Sequence, residues 1–176
     1  MASEAHEAFA VWITGLPASG KSTITRALKS RLAACGVDAA VLESDELRKI
    51  LTAHPRYDEE ERDAFYAQMA WIGKLLVRHG VPVIFDATGN RRIYRDRVRR
   101  EIPRFIEVFV DVPLEICMAR DPKGIYRSAR EGGSATVPGL QAAYEPPETP
   151  EVVVHGESAE AAAERIIAKL AEKGYL

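Results

Sequence analysis

The densest chemistry in the chain lies in GLPASGKS, residues 15–22, a complete G-x-x-x-x-G-K-[ST] spacing that follows an apolar run, VWIT, and opens an amphipathic one. Gly15 and Gly20 carry no Cβ and tolerate positive φ. The chain between them, Leu16, Pro17, Ala18 and Ser19, is therefore free to wrap a polyphosphate with its backbone N–H groups turned inward. Lys21 supplies a point charge for the β and γ phosphates, the Ser22 hydroxyl suits Mg2+, and Thr23 is placed for the α phosphate. The amino end of the following helix adds its own attraction for an anion. The bland reading, a chance glycine-rich turn beside a surface lysine, fails on the complete spacing and on the strand that precedes it.

A phosphate loop specifies nucleotide binding but not a reaction, and three further clusters narrow it. ESDELR, residues 43–48, stands at the end of a second apolar run, where a strand's carboxyl end faces the ligand crevice of an α/β sheet. Asp45 is a candidate base or Mg2+ organiser there, and Arg48 a candidate contact for phosphate or acceptor. The plainer role for Ser44 or Asp45 is to cap the helix that follows, which is compatible with catalysis. FDATGNRR, residues 85–92, makes Asp86 the first polar residue after an apolar strand, a position suited to Mg2+ or its water shell. Asn90, Arg91 and Arg92 follow as candidate anion or acceptor ligands. The later arginines, up to Arg100, read more simply as a solvated basic helix face. DPKGIYRSAR, residues 121–130, offers Lys123, Arg127 and Arg130 to close over phosphates and exclude water.

These residues need a scaffold that alternates strands and helices, and the hydropathy pattern supplies one. Short apolar runs at 9–14, 39–42, 81–85, 105–112 and 152–155 alternate with amphipathic stretches at 22–35, 45–52, 91–101, 114–120 and 159–172. Runs such as VPVIF and EVFVDV are rich in β-branched and aromatic residues without strict alternation, as parallel strands covered on both faces are. The expected fold is therefore α/β, a three-layer sandwich around a mostly parallel five-stranded sheet with helices on both faces. Two segments break the rhythm. Residues 57–79 read as one long helix with Phe65, Met69, Ile72 and Leu76 on its apolar face, ending at Gly80. Residues 121–150 read as irregular chain, punctuated by Pro122, Gly124, Gly132, Gly133, Pro138, Gly139, Pro146, Pro147 and Pro150. Such a segment in a compact α/β enzyme serves as a lid, the alternative being a disordered excursion.

The 176 residues make one domain's worth of chain, 1–176, with residues 1–8 as a flexible lead-in. At this length, folding buries roughly 70% of the surface of the unfolded chain, and 47% hydrophobic residues provide the core. Two cysteines, Cys35 and Cys117, are too few for a disulfide framework, which points to a cytoplasmic protein. No apolar run approaches the roughly 18 to 20 residues that span a bilayer, so no membrane role is expected. There are 24 Lys plus Arg against 26 Asp plus Glu. That balance argues against a general nucleic-acid binder but not against a small anionic substrate. Much of the acid (Glu4, Glu7, Glu59, Glu60, Glu61) lies away from the motifs, so the arginines and Lys123 are expected to make the crevice mouth basic. No internal repeat or linker is visible.

Together these segments resemble the adenylylsulfate kinase family of P-loop kinases. The most specific stretch is FVDVPLEICMARDPKGIYRSAR, residues 109–130, continuing through Gly139, Tyr144, Glu145, Pro147, Glu148 and Pro150. The resemblance implies a P-loop kinase fold, transfer from MgATP to the ribose 3′-hydroxyl of adenylyl sulfate, a role in sulfate assimilation, and a homodimer. It places Asp45 and Arg48 on the second Asp and the Arg of a D-G-D-N-x-R motif, Arg62 on a substrate-binding arginine, and Lys123 in the substrate-facing lid. The departures cluster near the acceptor. Glu43, Ser44 and Glu46 replace Asp, Gly and Asn, Phe65 replaces an Asn, and Gly89 stands where some members carry a phosphorylated serine. Val137 stands where an aromatic stacks on the substrate's adenine. A kinase of the same build acting on another small hydroxyl compound is the alternative. A nucleotide-sensing or RNA-binding module using the arginines of residues 91–104 is a third.

Overall fold

The computed structural model describes residues 8–133 and 136–176; the lead-in expected at 1–8 lies outside them apart from Ala8. Five strands, β1 (Ala10–Gly15), β2 (Ala40–Glu43), β3 (Val83–Asp86), β4 (Phe105–Val110) and β5 (Val152–Val154), form one sheet in the order β2-β3-β1-β4-β5. Every pairing is parallel. The helices are α1 (Lys21–Ala34), α2 (Ser44–Leu51), α3 (Glu59–Arg78), α4 (Arg92–Glu101), α5 (Leu114–Arg120), α6 (Ile125–Arg130) and α7 (Ala159–Glu172). The chain leaves central β1, crosses to β2 and β3 on one side, then returns to β4 and β5 on the other. The topological switch, and hence the crevice, falls at the carboxyl end of β1.

Two apolar layers sandwich the sheet. Leu28 and Leu32 of α1, Cys117 of α5, Tyr126 of α6 and Ile166 and Leu170 of α7 pack on one face with Val11, Ile13 and Val108. Phe65 and Met69 of α3 and Tyr94 and Val98 of α4 pack on the other with Ala10, Trp12 and Phe85. Helix α3 comes so close to β3 that a Cβ at Gly73 would collide with the ring of Phe85.

The structure corrects several expectations. Helix α3 starts at Glu59 and not at residue 57, because Tyr57 takes φ +59 and Asp58 caps the helix by accepting from the Glu61 N–H at 2.9 Å. The segment at 121–150 is not irregular throughout. It holds α6, whose first turn is anchored by Asp121, which accepts from the N–H groups of Tyr126 (3.2 Å) and Arg127 (3.0 Å). Nor is α4 a solvated basic face. Arg95 is 1% exposed; its Nε donates to Glu107 of β4 at 2.6 Å and its Nη2 to the Glu145 carbonyl at 2.7 Å. Arg99 binds Glu151 at 2.6 Å, and Arg97 pairs with Asp63. The approach of α4 to acidic residues on β4 and before β5 turns basic positions inward, which sequence spacing does not reveal.

Candidate active site

The site is built where β1, β2 and β3 end. After β1, the chain turns tightly at Gly15, where a Cβ would stand 2.7 Å from the Val110 carbonyl of β4, so only glycine fits. Gly20 caps α1 at φ +106, and α1 begins directly with Lys21. The Lys21 ammonium turns back into the loop and donates to the carbonyls of Leu16 (2.9 Å) and Gly15 (3.1 Å). It forms no ion pair among the described residues. Burial depresses its pKa, an effect opposed by the nearby Asp86 and Asp45 carboxylates. A desolvated ammonium held only by carbonyls favours an arriving anion. The Ser19 hydroxyl in the same loop is buried with no hydrogen-bond partner among the described residues, a second sign that the loop is completed by a ligand.

Opposite the loop stand the carboxylates. Parallel register places Glu43, the last residue of β2, beside Asp86, the last of β3, and pairs Ile13 of β1 with Asp86 on the other side. Burial, with Asp86 next to it, pushes the Glu43 pKa up. Helix α2 follows β2 without a linker. Its N-cap is Glu43, with no side-chain capping bond, so neither Ser44 nor Asp45 serves as the cap the sequence suggested. Asp45 is left to meet Lys123, whose Nζ donates to its Oδ2 at 2.6 Å from the segment between α5 and α6. That pair holds the Lys123 pKa up. A cavity of roughly 340 Å3 collects Pro17, Ala18, Gly20, Lys21, Ser22 and Thr23 from the loop, Glu43, Ser44 and Asp45 from the β2–α2 junction, Asp86, and Arg120 through Lys123 with Ile125. Its oxygen donors, the Ser22 hydroxyl and the Asp86 carboxylate, are of the kind that suits Mg2+.

The other sequence candidates fall around this cavity and do not line it. Arg48 is buried, pairs with Glu61, and lies 4.0 Å above the Phe65 ring and 5.0 Å above the Tyr57 ring. Arg62 is 8% exposed, donates to the Thr136 carbonyl and makes no ion pair among the described residues; burial lowers its pKa. Asn90 is buried and ties the chain before β5 in place. Its Nδ2 donates to the Ala143 carbonyl at 3.0 Å, and its own carbonyl accepts the Glu145 N–H at 2.7 Å. Arg91 is half-buried and paired with Glu59. Arg127 and Arg130 border a separate cavity of roughly 240 Å3 with Arg120 and Tyr126. Leu16 is turned toward the turn at Gly139. The expected basic mouth is not found: Lys21, Arg120 and Lys123 share the main cavity with Glu43, Asp45, Asp86 and Asp121.

Sequence reasoning overlooked Tyr126, whose hydroxyl donates to the Pro17 carbonyl at 2.9 Å, and Tyr144, whose hydroxyl lies 3.0 Å from Thr14 Oγ1. Both belong to the stretch that carries the family resemblance, but nothing in their spacing tells which loop they reach.

A parallel sheet whose central strand ends in a complete phosphate loop, facing carboxylates across a cleft roofed by a basic segment, defines a P-loop kinase, a phosphotransferase acting on a hydroxyl. The model of the adenylylsulphate kinase family matches residues 7–155, and the chain belongs to that family. The adenylyl-sulfate kinase of Microcystis aeruginosa is 41% identical over 168 residues, covering 94% of this chain and 93% of that protein. Among solved structures, the Mycobacterium tuberculosis APS kinase CysC in complex with AMPPNP and APS matches with a TM-score of 0.88 at 30% identity, over 94% of this chain and 98% of that one. The hexameric APS kinase from Thiobacillus denitrificans matches with a TM-score of 0.68 at 25% identity, over 97% of this chain and 30% of that one.

Proposed function

We propose that this protein transfers the γ-phosphoryl group of ATP to the 3′-hydroxyl of adenylyl sulfate, giving 3′-phosphoadenylyl sulfate. The observation that carries this reading is the single cavity in which the phosphate loop, Asp45, Asp86 and Lys123 face one another; membership of the family supplies the acceptor. Residues 15–23 cradle the triphosphate, and Lys21 neutralises charge on its β and γ groups. Ser22 and Asp86 would hold Mg2+, which would supply positive charge against the charge that develops on the phosphate. Asp45 orients the acceptor hydroxyl and accepts its proton. Lys123 exchanges Asp45 for the acceptor's anionic groups, and Arg62, a buried cation without a carboxylate partner among the described residues, is the next candidate for them. Because the transition state for phosphoryl transfer is loose, alignment and charge neutralisation contribute more than base strength.

ADP release coupled to a spectrophotometric readout tests the assignment, with adenylyl sulfate compared against a panel of alcohols and Lys21→Ala as the blank. The expected result is turnover with adenylyl sulfate, a larger loss for Lys21→Ala than for Asp45→Asn, and no turnover once Mg2+ is chelated. Turnover with another alcohol alone would overturn the acceptor and keep the kinase. That second reading draws on one observation: Val137, where the family's stacking aromatic is expected, is 2% exposed and sunk in the core instead of lining the cavity. We place the enzyme in the cytoplasm, as one domain with a lid at 121–150. No helix among the described residues is long and apolar enough to cross a membrane. A homodimer is expected, and light scattering at micromolar concentration would show it.

A further inference from the structure

The phosphate loop is braced from behind by the chain that follows α5. Thr14 meets the Tyr144 hydroxyl, and Leu16 packs under the turn at Gly139, where a Cβ would come within 2.6 Å of its Cδ2. The contact from Tyr126 to the Pro17 carbonyl is of a different kind because of the peptide it grips. The Ser19 N–H donates to the Leu16 carbonyl at 3.2 Å, closing a β-turn over Leu16, Pro17, Ala18 and Ser19. Ala18, in its third position, has φ +61. Positive φ there is the mark of a type II turn, which accepts proline before it but prefers glycine where this chain has alanine. An alanine enters the left-handed region only against the contact of its Cβ with backbone.

A type II turn relaxes to type I by rotating its central peptide about 180°, which takes the third residue out of the left-handed region. The C=O and N–H of that peptide point in opposite directions, so the rotation would also reverse the Ala18 N–H. In the structure the Pro17 carbonyl is tied to Tyr126, a residue 2% exposed within the core that does not line the cavity. Ala18 lines the cavity, and its N–H has no acceptor among the described residues. Burial pushes the Tyr126 phenol well above its ordinary range, so it stays a donor at working pH.

We propose that Tyr126 is a positioning residue for the nucleotide: its hydroxyl holds the Pro17–Ala18 peptide in the type II orientation, against the strain at Ala18, so that the Ala18 N–H is directed at the phosphates. This rests on the reading of the cavity as the ATP site. It makes α6, which begins two residues after Lys123, part of the grip on the nucleotide.

Calorimetric titration of the whole chain with Mg2+ and AMPPNP tests it. Tyr126→Phe keeps the buried ring and removes only the hydroxyl. Its dissociation constant should rise about three- to tenfold, the range of one net hydrogen bond, while the KM for the acceptor stays within about twofold. Adding Ala18→Gly to Tyr126→Phe removes the reason for the peptide to rotate and should bring the dissociation constant back to within about twofold of the parent. Undiminished binding by Tyr126→Phe would overturn the proposal. So would a loss that Ala18→Gly leaves unrepaired, or a Tyr126→Phe chain that no longer folds, since either assigns the hydroxyl to the core. If the parent chain itself binds no AMPPNP, it is the nucleotide-site reading that fails.

Discussion

Lys21 holds a charge where the fold makes charge costly. Its pKa in the folded, unliganded protein lies below the ordinary 10.5 because burial outweighs the attraction of Asp86 and Asp45. Between the folded value and 10.5 the unfolded chain binds more protons than the folded one, so stability rises with pH across that window. Below the folded value the penalty is present in full, which includes neutral pH. Lys21→Met is therefore expected not to lower the melting temperature of the unliganded protein at pH 7, while weakening ATP binding by about ten- to a hundredfold, the range for lost charge-assisted hydrogen bonds. Thermal melting with and without ATP separates the two effects. The spacing of GLPASGKS made this lysine legible in the sequence; its two carbonyl partners and its desolvation arise only when the loop closes on itself.

At the scale of elements, α4 and the segment before it show how a basic stretch becomes scaffold. Arg95 links three pieces of chain at once: Glu107 on β4, the Gly89 carbonyl and the Glu145 carbonyl. Arg95→Met would leave the Glu107 carboxylate, on a residue 5% exposed, with only the longer 3.3 Å contact to Arg99 among the described residues. Breaking a buried pair from one side costs about 3–5 kcal/mol, which urea unfolding would register as a lower midpoint. Gly89 is equally constrained: φ is +49, and a Cβ would stand 2.8 Å from Cζ2 of Trp12. Gly89→Ser, which introduces the residue expected here in some members of the family, is expected to destabilise the protein and to lower activity by displacing Asn90. Melting temperature and turnover measured on one preparation would show both. In this chain the large side chain of Trp12 in β1 and the glycine at 89 are two halves of one packing solution. The sequence shows each without showing that they meet.

Across the whole molecule, the cleft joins parts that the sheet topology brings together from distant positions. The segment at 121–150 reaches the phosphate loop through Tyr126 and Gly139, the strand that leads into it through Tyr144, and Asp45 after β2 through Lys123. Because acids balance cations in the cavity, selectivity for an anionic acceptor rests on a few placed groups and not on a general positive field. Lys123→Ala is accordingly expected to raise the KM for adenylyl sulfate by about tenfold or more while changing the KM for ATP by less than about threefold, as initial-rate kinetics with each substrate varied would show.

The sequence by itself determined what is local. The phosphate loop, the alternation of strands and helices, and the strand-end acids are written in contiguous residues whose spacing follows backbone geometry. Helices α5 and α7 run over the residues that periodicity predicts. What joins residues far apart was decided only in the tertiary structure. Asp45 meets Lys123 across 78 positions, Pro17 meets Tyr126 across 109, and Arg95 turns inward because β4 presents Glu107 beneath α4. Periodicity reports which face of an element is buried, but the partner waiting on that face depends on strand order and register, which set the geometry of this cleft.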